Sequence, residues 1–436
     1  MATETFHQSL WSALTPAAEP MPPLVGDVSS DIVVVGAGFL GLSTALHMAE
    51  GGAKVVLLEA DEPGFGASGR NTGFVVPSLK TAFGPADVRG LLGEAGDRLT
   101  ALVGQSGNAV FDLIRRYAID CSAEQTGWLQ PAHTAALQRI LEQRQRDWAT
   151  LGRRVEILSR EETAEKIGAS GYHGALLDPT GGQINPLAYA RGLARATMAQ
   201  GVGIYAGSRV QQVTRADGKW MAVTDKGRVR ADRMLLTTNA LVDKLYPAVA
   251  DAIIPVRVHQ IASQHFGEAD QASILHGRSP VADTRRHTFA VRWSPDGRLV
   301  TGGLVMPGPM PLERATRYFS KRLENIFPAL GRIRAEHVWS GVIAATLDSM
   351  PRFMSLEPGL DAAIGCNGRG IALTTSLGRA IAGLYSGTLA VGEFPLPHKP
   401  PQPVPGKLVA QYGPAFWLPW SNLRDSLESG AGLAAS

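Results

Sequence analysis

Apolar residues in this chain fall in short dense runs separated by glycine. The first run, Ile32-Val33-Val34-Val35, is continuous and β-branched, the pattern of a strand buried on both faces. Leu40, Ser43, Thr44, Leu46 and His47 then follow at helical spacing, and Gly51-Gly52 ends that helix. A second buried strand, Val55–Leu58, stops at Glu59. Residues 31–60 therefore predict a strand–helix–strand unit.

The rest of the chain is less regular. Residues 1–29 are polar and proline-rich and read as an irregular arm. Residues 84–165 read as mostly helical, most clearly at 137–150, and 186–200 as a further helix. Residues 208–240 hold short strands, with turns at Asp217-Gly218 and Lys226-Gly227. Residues 253–305 alternate in the strand manner, with "HTFAVRW" and "LVTGGLV" joined by the turn "SPDGR". Residues 311–327 return to helix. "DAAIGCNGRGIALTTSLGRAIAGLYSG" reads as strand, glycine turn, helix. A proline-rich extended stretch (395–405) precedes an apolar tail, "AFWLPW". No repeat of fixed period occurs. No run of 18 apolar residues occurs, so no membrane span is predicted.

The chemistry lies at the glycines. Gly36, Gly38 and Gly41 form G-x-G-x-x-G between strand and helix. Gly36 permits the tight turn, Gly38 lets backbone approach a pyrophosphate, and Gly41 allows close helix–strand packing. The helix N-terminus then turns free N–H groups and partial positive charge toward the phosphates. Glu59 lies 18 residues after Gly41, where an acid accepts hydrogen bonds from ribose hydroxyls and repels a 2′-phosphate. These residues leave a nicotinamide cofactor and FAD both open. A second loop, "FGASGRNTGFV" (65–75), favours FAD, whose flavin lies far from its adenine and needs further backbone donors.

Composition narrows the class. The 436 residues suit two or three domains. Net charge is 42 − 39 = +3, with arginine pairs scattered, so nucleic acid is not an expected partner. Cys121 and Cys366 give neither a disulfide framework nor a metal spacing, and no metal is expected. The N-terminus has no secretory h-region, and a reducing, cytoplasmic setting is expected.

The sequence resembles FAD-dependent oxidases of the D-amino-acid oxidase and glycine oxidase type, and within them the gamma-glutamylputrescine oxidase-like enzymes. The likeness rests on "DIVVVGAGFLGLSTALHMAEGGAKVVLLEA", "GFGASGRNTGFV", "DPTGGQINPLAYARGLARAT", "DTRRHTFAVRWSPDGRLVTGG", "VWSGVIAATLDSMPRF" and "GCNGRGIALTTSLGRAIA". With the early "SLWSALTP", these blocks span almost the whole chain. The resemblance implies an α/β fold. A Rossmann-type FAD/NAD(P)-binding domain of the glutathione-reductase/D-amino-acid-oxidase type carries a second, α+β domain whose antiparallel sheet covers the flavin. The expected division is an arm (1–29), an FAD domain (30–90, 185–250 and 336–396), a substrate domain (91–184 and 251–335) and a tail (397–436).

By the same resemblance, Gly36, Ala37, Gly38, Phe39, Leu40 and Gly41 meet the pyrophosphate, and Glu59 with Ala60 the adenosine ribose. Gly66, Ala67, Ser68, Arg70, Asn71, Thr72 and Gly73 form the loop beside the flavin. Val210 lies by the adenine, and Thr238, Asn239 and Ala240 close over the nucleotide. Gly341 is also an expected cofactor contact. Asn367, Gly368, Arg369, Gly370 and Ile371 form a second glycine turn, whose helix points its N-terminus at the flavin. Relatives that tether FAD do so through a histidine after the first loop or a cysteine in the "WSGVIAATLD" block. Neither is present, so FAD is expected to be non-covalent. The block ends "MPRF" where relatives have proline, an apolar residue and glycine.

The activity implied is oxidation of a C–N bond of a small-molecule amine or amino acid by hydride transfer to flavin N5, with electrons passing to O2. Such chemistry needs positioning more than acid–base groups, and no triad is visible. Candidate substrate or catalytic residues are Arg292, His259, His287 and Arg369. Arg292 sits in an apolar strand and either faces solvent or meets a substrate carboxylate; the carboxylate is favoured because no acid lies between Asp283 and Asp296. Two alternatives remain. One is a flavin dehydrogenase serving a quinone or carrier protein, whose apolar tail touches a membrane or partner. The other is a non-catalytic FAD-binding protein.

Overall fold

The computed structural model describes residues 9–80, 83–407 and 413–428. The apolar run at 32–35 is the buried half of a longer strand, Gly26–Val35. It lies parallel between Val55–Leu58, also buried throughout, and Gly227–Leu236. Gly203–Tyr205 extends the parallel sheet on one side and Leu360–Ile364 on the other. Arg352–Glu357 then pairs antiparallel, and His398–Lys399 completes that edge. A meander of Gln212–Ala216 and Lys219–Val223 folds against Gly227–Leu236, giving nine strands. Asp217 and Gly218 both have positive φ, as a tight two-residue hairpin requires.

Two helices fill one face of this sheet. Phe39–Glu50 ends at Gly51 as expected, and Gly370–Ser386 runs beside it. They touch closely: Ser43 Oγ donates to the Thr375 carbonyl at 2.7 Å. Pro186–Ala199 packs against Phe39–Glu50, with Asn185 capping its start.

A second, eight-stranded sheet runs in the order Ala335–Ala345, Ile254–His265, Arg298–Gly303, Ala290–Trp293, Val281–Ala282, Trp128–Pro131, Ala175–Asp178, Glu156–Leu158. Strand alternation gives it two unlike faces. Ala262, Val300 and Trp339 pack with Leu10, Trp11 and Leu187 on the side of the first sheet. Ile261, Val291 and Leu299 pack under Ala315, Phe319 and Leu323 of the helix Pro311–Ile326 on the other.

The structure departs from the sequence reading in four places. The arm is not irregular throughout: Leu10–Leu14 is a helix capped by Ser9, and Trp11 is fully buried. A large aromatic with a carbonyl for its N–H outweighs polar, proline-rich flanks. The stretch 84–165 holds the strands Trp128–Pro131 and Glu156–Leu158 between its helices. Ala335–Ala345 pairs with Ile254–His265 in the eight-stranded sheet, although the expected division gave 336–396 to the FAD domain, and His398–Lys399, placed in the tail, joins the nine-stranded sheet. The tail belongs to a helix, Gly413–Glu428, held by Arg286, which donates to Asp425 and Glu428. Its Phe416, Trp420, Leu423 and Leu427 are exposed. No described helix is long and apolar enough to cross a membrane.

Candidate functional site

The strand Gly26–Val35 delivers its glycines to the start of Phe39–Glu50. Gly36 has φ +110, and a Cβ on Gly41 would collide with the Gly36 carbonyl oxygen, so helix and strand meet this closely only through glycine. Thr237, at the end of Gly227–Leu236, ties the turn down; its Oγ1 lies 3.0 Å from the carbonyl oxygens of both Val35 and Gly36. Gly38 is the N-cap and offers no side-chain cap. Glu59 accepts the N–H of Ala37 at 2.7 Å and that of Asp61 at 3.1 Å. Burial pushes its carboxyl above the usual range, and these two N–H groups pull it back. Ala60 follows beside it. Val210 is buried in the core behind this edge.

The second loop forms one turn of 3-10 helix, Ala67–Gly69, from Gly66. Ser68 Oγ accepts the Phe39 N–H at 3.1 Å, joining this loop to the first glycine turn. Asn71 closes the loop on itself: its Nδ2 donates to the Ser68 carbonyl at 2.7 Å and its Oδ1 accepts the Gly73 N–H at 2.8 Å. Arg70 is buried and turned toward the protein, donating to the carbonyls of Phe65 (2.8 Å) and Ser340 (3.3 Å). Burial lowers its guanidinium to about 10.

The two remaining segments come to the same place. Asn239, at φ +49, accepts the Gly365 N–H at 3.2 Å and lies 3.8 Å from Cys366 Sγ. Asn367 is fixed by Thr346, whose N–H it accepts at 2.9 Å. Gly370–Ser386 begins with no side-chain cap. Together, Gly38, Phe39, Leu40, Ala67, Ser68, Asn71, Thr237, Asn239, Ile343, Cys366, Gly368 and Gly370 line one cleft. Two helix N-termini, of 12 and 17 residues, thus open onto it. That is the cradle that the pyrophosphate and a reduced, anionic flavin require. Buried Thr238 Oγ1 has no partner among the described residues. These features fit FAD. Thr237, Ile343 and Cys366 line the cleft but were not among the expected contacts; Thr237 is adjacent in "TTNA", where either threonine suits the turn. Ala240, Gly341 and Ile371 flank the cleft-lining residues without lining it.

The substrate-side expectations fare differently. Arg292 is 1% exposed, on the sheet face toward the flavin loop. Its Nε donates to the Trp293 carbonyl at 3.0 Å, and its Nη1 lies 2.6 Å from the Ile184 carbonyl, 3.1 Å from Gly73 and 3.3 Å from Thr72. Trp11 lies against the guanidinium, 5.2 Å from ring to carbon. Burial lowers Arg292 to about 9. Carbonyls of the loop 65–75 and of the neighbouring Ile184 thus engage Nη1 of Arg292.

His259 and His287 belong to the opposite face, under Pro311–Ile326. Gly303 stands opposite His259 in register, and a Cβ there would lie 3.5 Å from His287 Nε2 and 3.6 Å from Phe319. His287 donates from Nε2 to the Leu304 carbonyl (3.1 Å), and its Nδ1 accepts the Tyr318 hydroxyl (2.9 Å). Burial lowers both histidines to about 4, so both are neutral at pH 7. Arg369 flanks the cleft, donating to the Ser78 carbonyl at 3.3 Å and lying 5.5 Å from the Trp128 ring; burial lowers it to about 9. Elsewhere, His133, Asp425 and Glu428 offer ligand-type atoms within 4.8 Å of one another, a grouping invisible in the sequence, but Arg286 already donates to both carboxylates.

A doubly glycine-lined cleft beside a mostly antiparallel sheet is the arrangement that suits a flavin nucleotide. The chain matches the family DAO, FAD dependent oxidoreductase, over residues 31–384, and it belongs to that family. Gamma-glutamylputrescine oxidoreductase of Escherichia coli is 31% identical over 388 residues, covering 87% of this chain and 89% of that one. Glycine oxidase of Pseudomonas aeruginosa is 25% identical over 396 residues, covering 86% and 99%. The crystal structure of L-proline dehydrogenase from P.horikoshii shares the fold at TM-score 0.69, with 20% identity over 83% of this chain and 94% of that one. The family makes this chain an FAD-dependent oxidoreductase and an enzyme, and the non-catalytic alternative falls away.

Proposed function

We propose that this chain oxidises a C–N bond of a small amine or amino acid. The single observation carrying this is the meeting of two uncapped helix N-termini and the flavin loop at one cleft below the antiparallel sheet. FAD, when bound, supplies the acceptor for a hydride and passes the electron pair on to O2. The cleft residues and the two helix N-termini would hold the flavin and favour its negatively charged reduced form. The substrate's nitrogen lone pair forms the C=N bond as the α-hydrogen leaves with two electrons. Water then hydrolyses the imine to a carbonyl compound and an amine. With Nη1 of Arg292 engaged by carbonyls, the proposal does not depend on a substrate carboxylate.

Non-covalent FAD, a cytoplasmic setting and the two-domain division belong to the same proposal, with 336–345 assigned to the substrate side and 398–399 to the cofactor side. The exposed apolar residues of Gly413–Glu428 favour the second reading, electron delivery to a quinone or carrier protein. The test is anaerobic bleaching by a panel holding gamma-glutamylputrescine, N-methylglycine, glycine and L-proline. One member bleaches the flavin; peroxide forms in air if O2 is the acceptor; and acid precipitation leaves the yellow colour in solution. A flavin that no amine reduces defeats the proposal.

A further inference from the structure

We propose that Gln260 is the group that receives the substrate nitrogen, its carboxamide oxygen accepting an N–H of the amine. The inference rests on the amine-oxidation reading above and names the residue that reading lacks.

The sheet register gives Gln260 its direction. It stands opposite Trp339 on one side and Gly302 on the other. Trp339 donates its indole N–H to the Arg70 carbonyl at 2.9 Å, so this face lies against the flavin loop. Two residues along, Val258 stands opposite Gly341, where a Cβ would lie 3.4 Å from Arg70 Cβ. Two further, Val256 stands opposite Ile343, which lines the cleft. Side chains of residues 256, 258 and 260 thus form one row leading from the cleft along the flavin-loop face. His259 points the other way, toward Pro311–Ile326.

Gly302 makes room for the carboxamide arm, since a Cβ there would lie 2.5 Å from Gln260 Cγ. Gln260 is 5% exposed, and its Oε1 has no hydrogen-bond partner among the described residues. A buried acceptor without a donor costs free energy unless a ligand or water supplies one. Arg292, also buried on this face, has carbonyl partners. An acceptor that is neutral also suits the chemistry. The amine must be unprotonated to release hydride, and a carboxylate in this place would hold it as the ammonium ion.

The experiment compares holoenzymes of the parent, Gln260→Leu and Gln260→Glu in anaerobic stopped flow, using the panel amine that bleaches the parent fastest. Gln260→Leu should raise the half-saturating amine concentration by roughly two- to tenfold, as loss of one neutral hydrogen bond predicts. The N,N,N-trimethyl analogue, which has no N–H, should bind parent and Gln260→Leu equally, as read by the shift of the visible spectrum. Gln260→Glu, nearly the same shape, should move the acid limb of the flavin-reduction profile upward by about one pH unit. FAD affinity should be the same in all three. If Gln260→Leu loses FAD or fails to fold, the Gln260→Glu profile decides. An unmoved profile overturns the proposal, as does unchanged half-saturation in Gln260→Leu. If substituted enzymes behave as the parent while the parent is bleached, only Gln260 is wrong. If no amine bleaches the parent, the amine reading fails and takes this assignment with it.

Discussion

Replacing Arg292 by methionine separates two roles for this residue. Methionine keeps most of the apolar stem but has no donors. The carbonyls of Ile184, Gly73 and Thr72 then lose Nη1, and Trp11 loses the cation against its ring. One nitrogen carries two hydrogens, so at most two of those three carbonyls are fully served. Each orphaned buried acceptor costs about 1–3 kcal/mol, giving roughly 2–5 kcal/mol of lost stability after release of the buried charge is allowed for. Two of the carbonyls belong to the flavin loop, so about 2 kcal/mol falls on cofactor binding, or roughly thirtyfold in Kd. The assay is FAD titration of the apoprotein by flavin fluorescence, beside thermal unfolding of the same sample. Arg292→Lys, a point charge that reaches fewer carbonyls, should fall between. Unchanged FAD affinity and Tm, with only the substrate KM raised, would refute this and restore Arg292 as a substrate ligand.

Two further outcomes are expected. Glu59→Ala removes the acceptor of two backbone N–H groups and of the expected ribose hydroxyls, and should weaken FAD retention by about 1.5–3 kcal/mol; equal retention in a spin-filtration assay would place the ribose elsewhere. His287 is held near 4 in the fold against 6.5 in the open chain, so the folded state binds fewer protons between those values. Its contribution is full above 6.5 and is lost as pH falls toward 4, up to about 3 kcal/mol, so His287→Gln should flatten the urea midpoint between pH 7 and 4.5, and an equally steep variant counts against it.

The nucleotide half was legible in the sequence because its requirements are local. The Gly36 turn needs positive φ, Gly41 must lack a Cβ, and a β-branched run cannot hide its period. The substrate face was not, because it depends on register. His259 and Gln260 are neighbours in sequence, but a single step along a strand turns the side chain to the other side of the sheet. Residue type favoured the histidine, whereas pairing with Trp339 and Gly302 favours the glutamine. Arg292 was expected to need an anionic partner, but backbone carbonyls from distant segments, which leave no mark in its own strand, engage its Nη1. Trp11 is similar: its burial is decided by Asn71, whose carbonyl accepts its N–H at 2.7 Å, and by the Trp339 ring 6.3 Å away.

The nine-stranded sheet also sets a timetable for synthesis. Gly26–Val35 leaves the ribosome first, and its partner on one side, Gly227–Leu236, follows about 200 residues later, with Leu360–Ile364 and the helix Gly370–Ser386 later still. At roughly 5–20 residues per second, the first glycine turn waits ten seconds or more for Thr237 to brace it. FAD capture therefore waits until Gly370–Ser386 has emerged. Until then one edge of the apolar run Ile32–Val35 stays open, the kind of segment that holding chaperones bind.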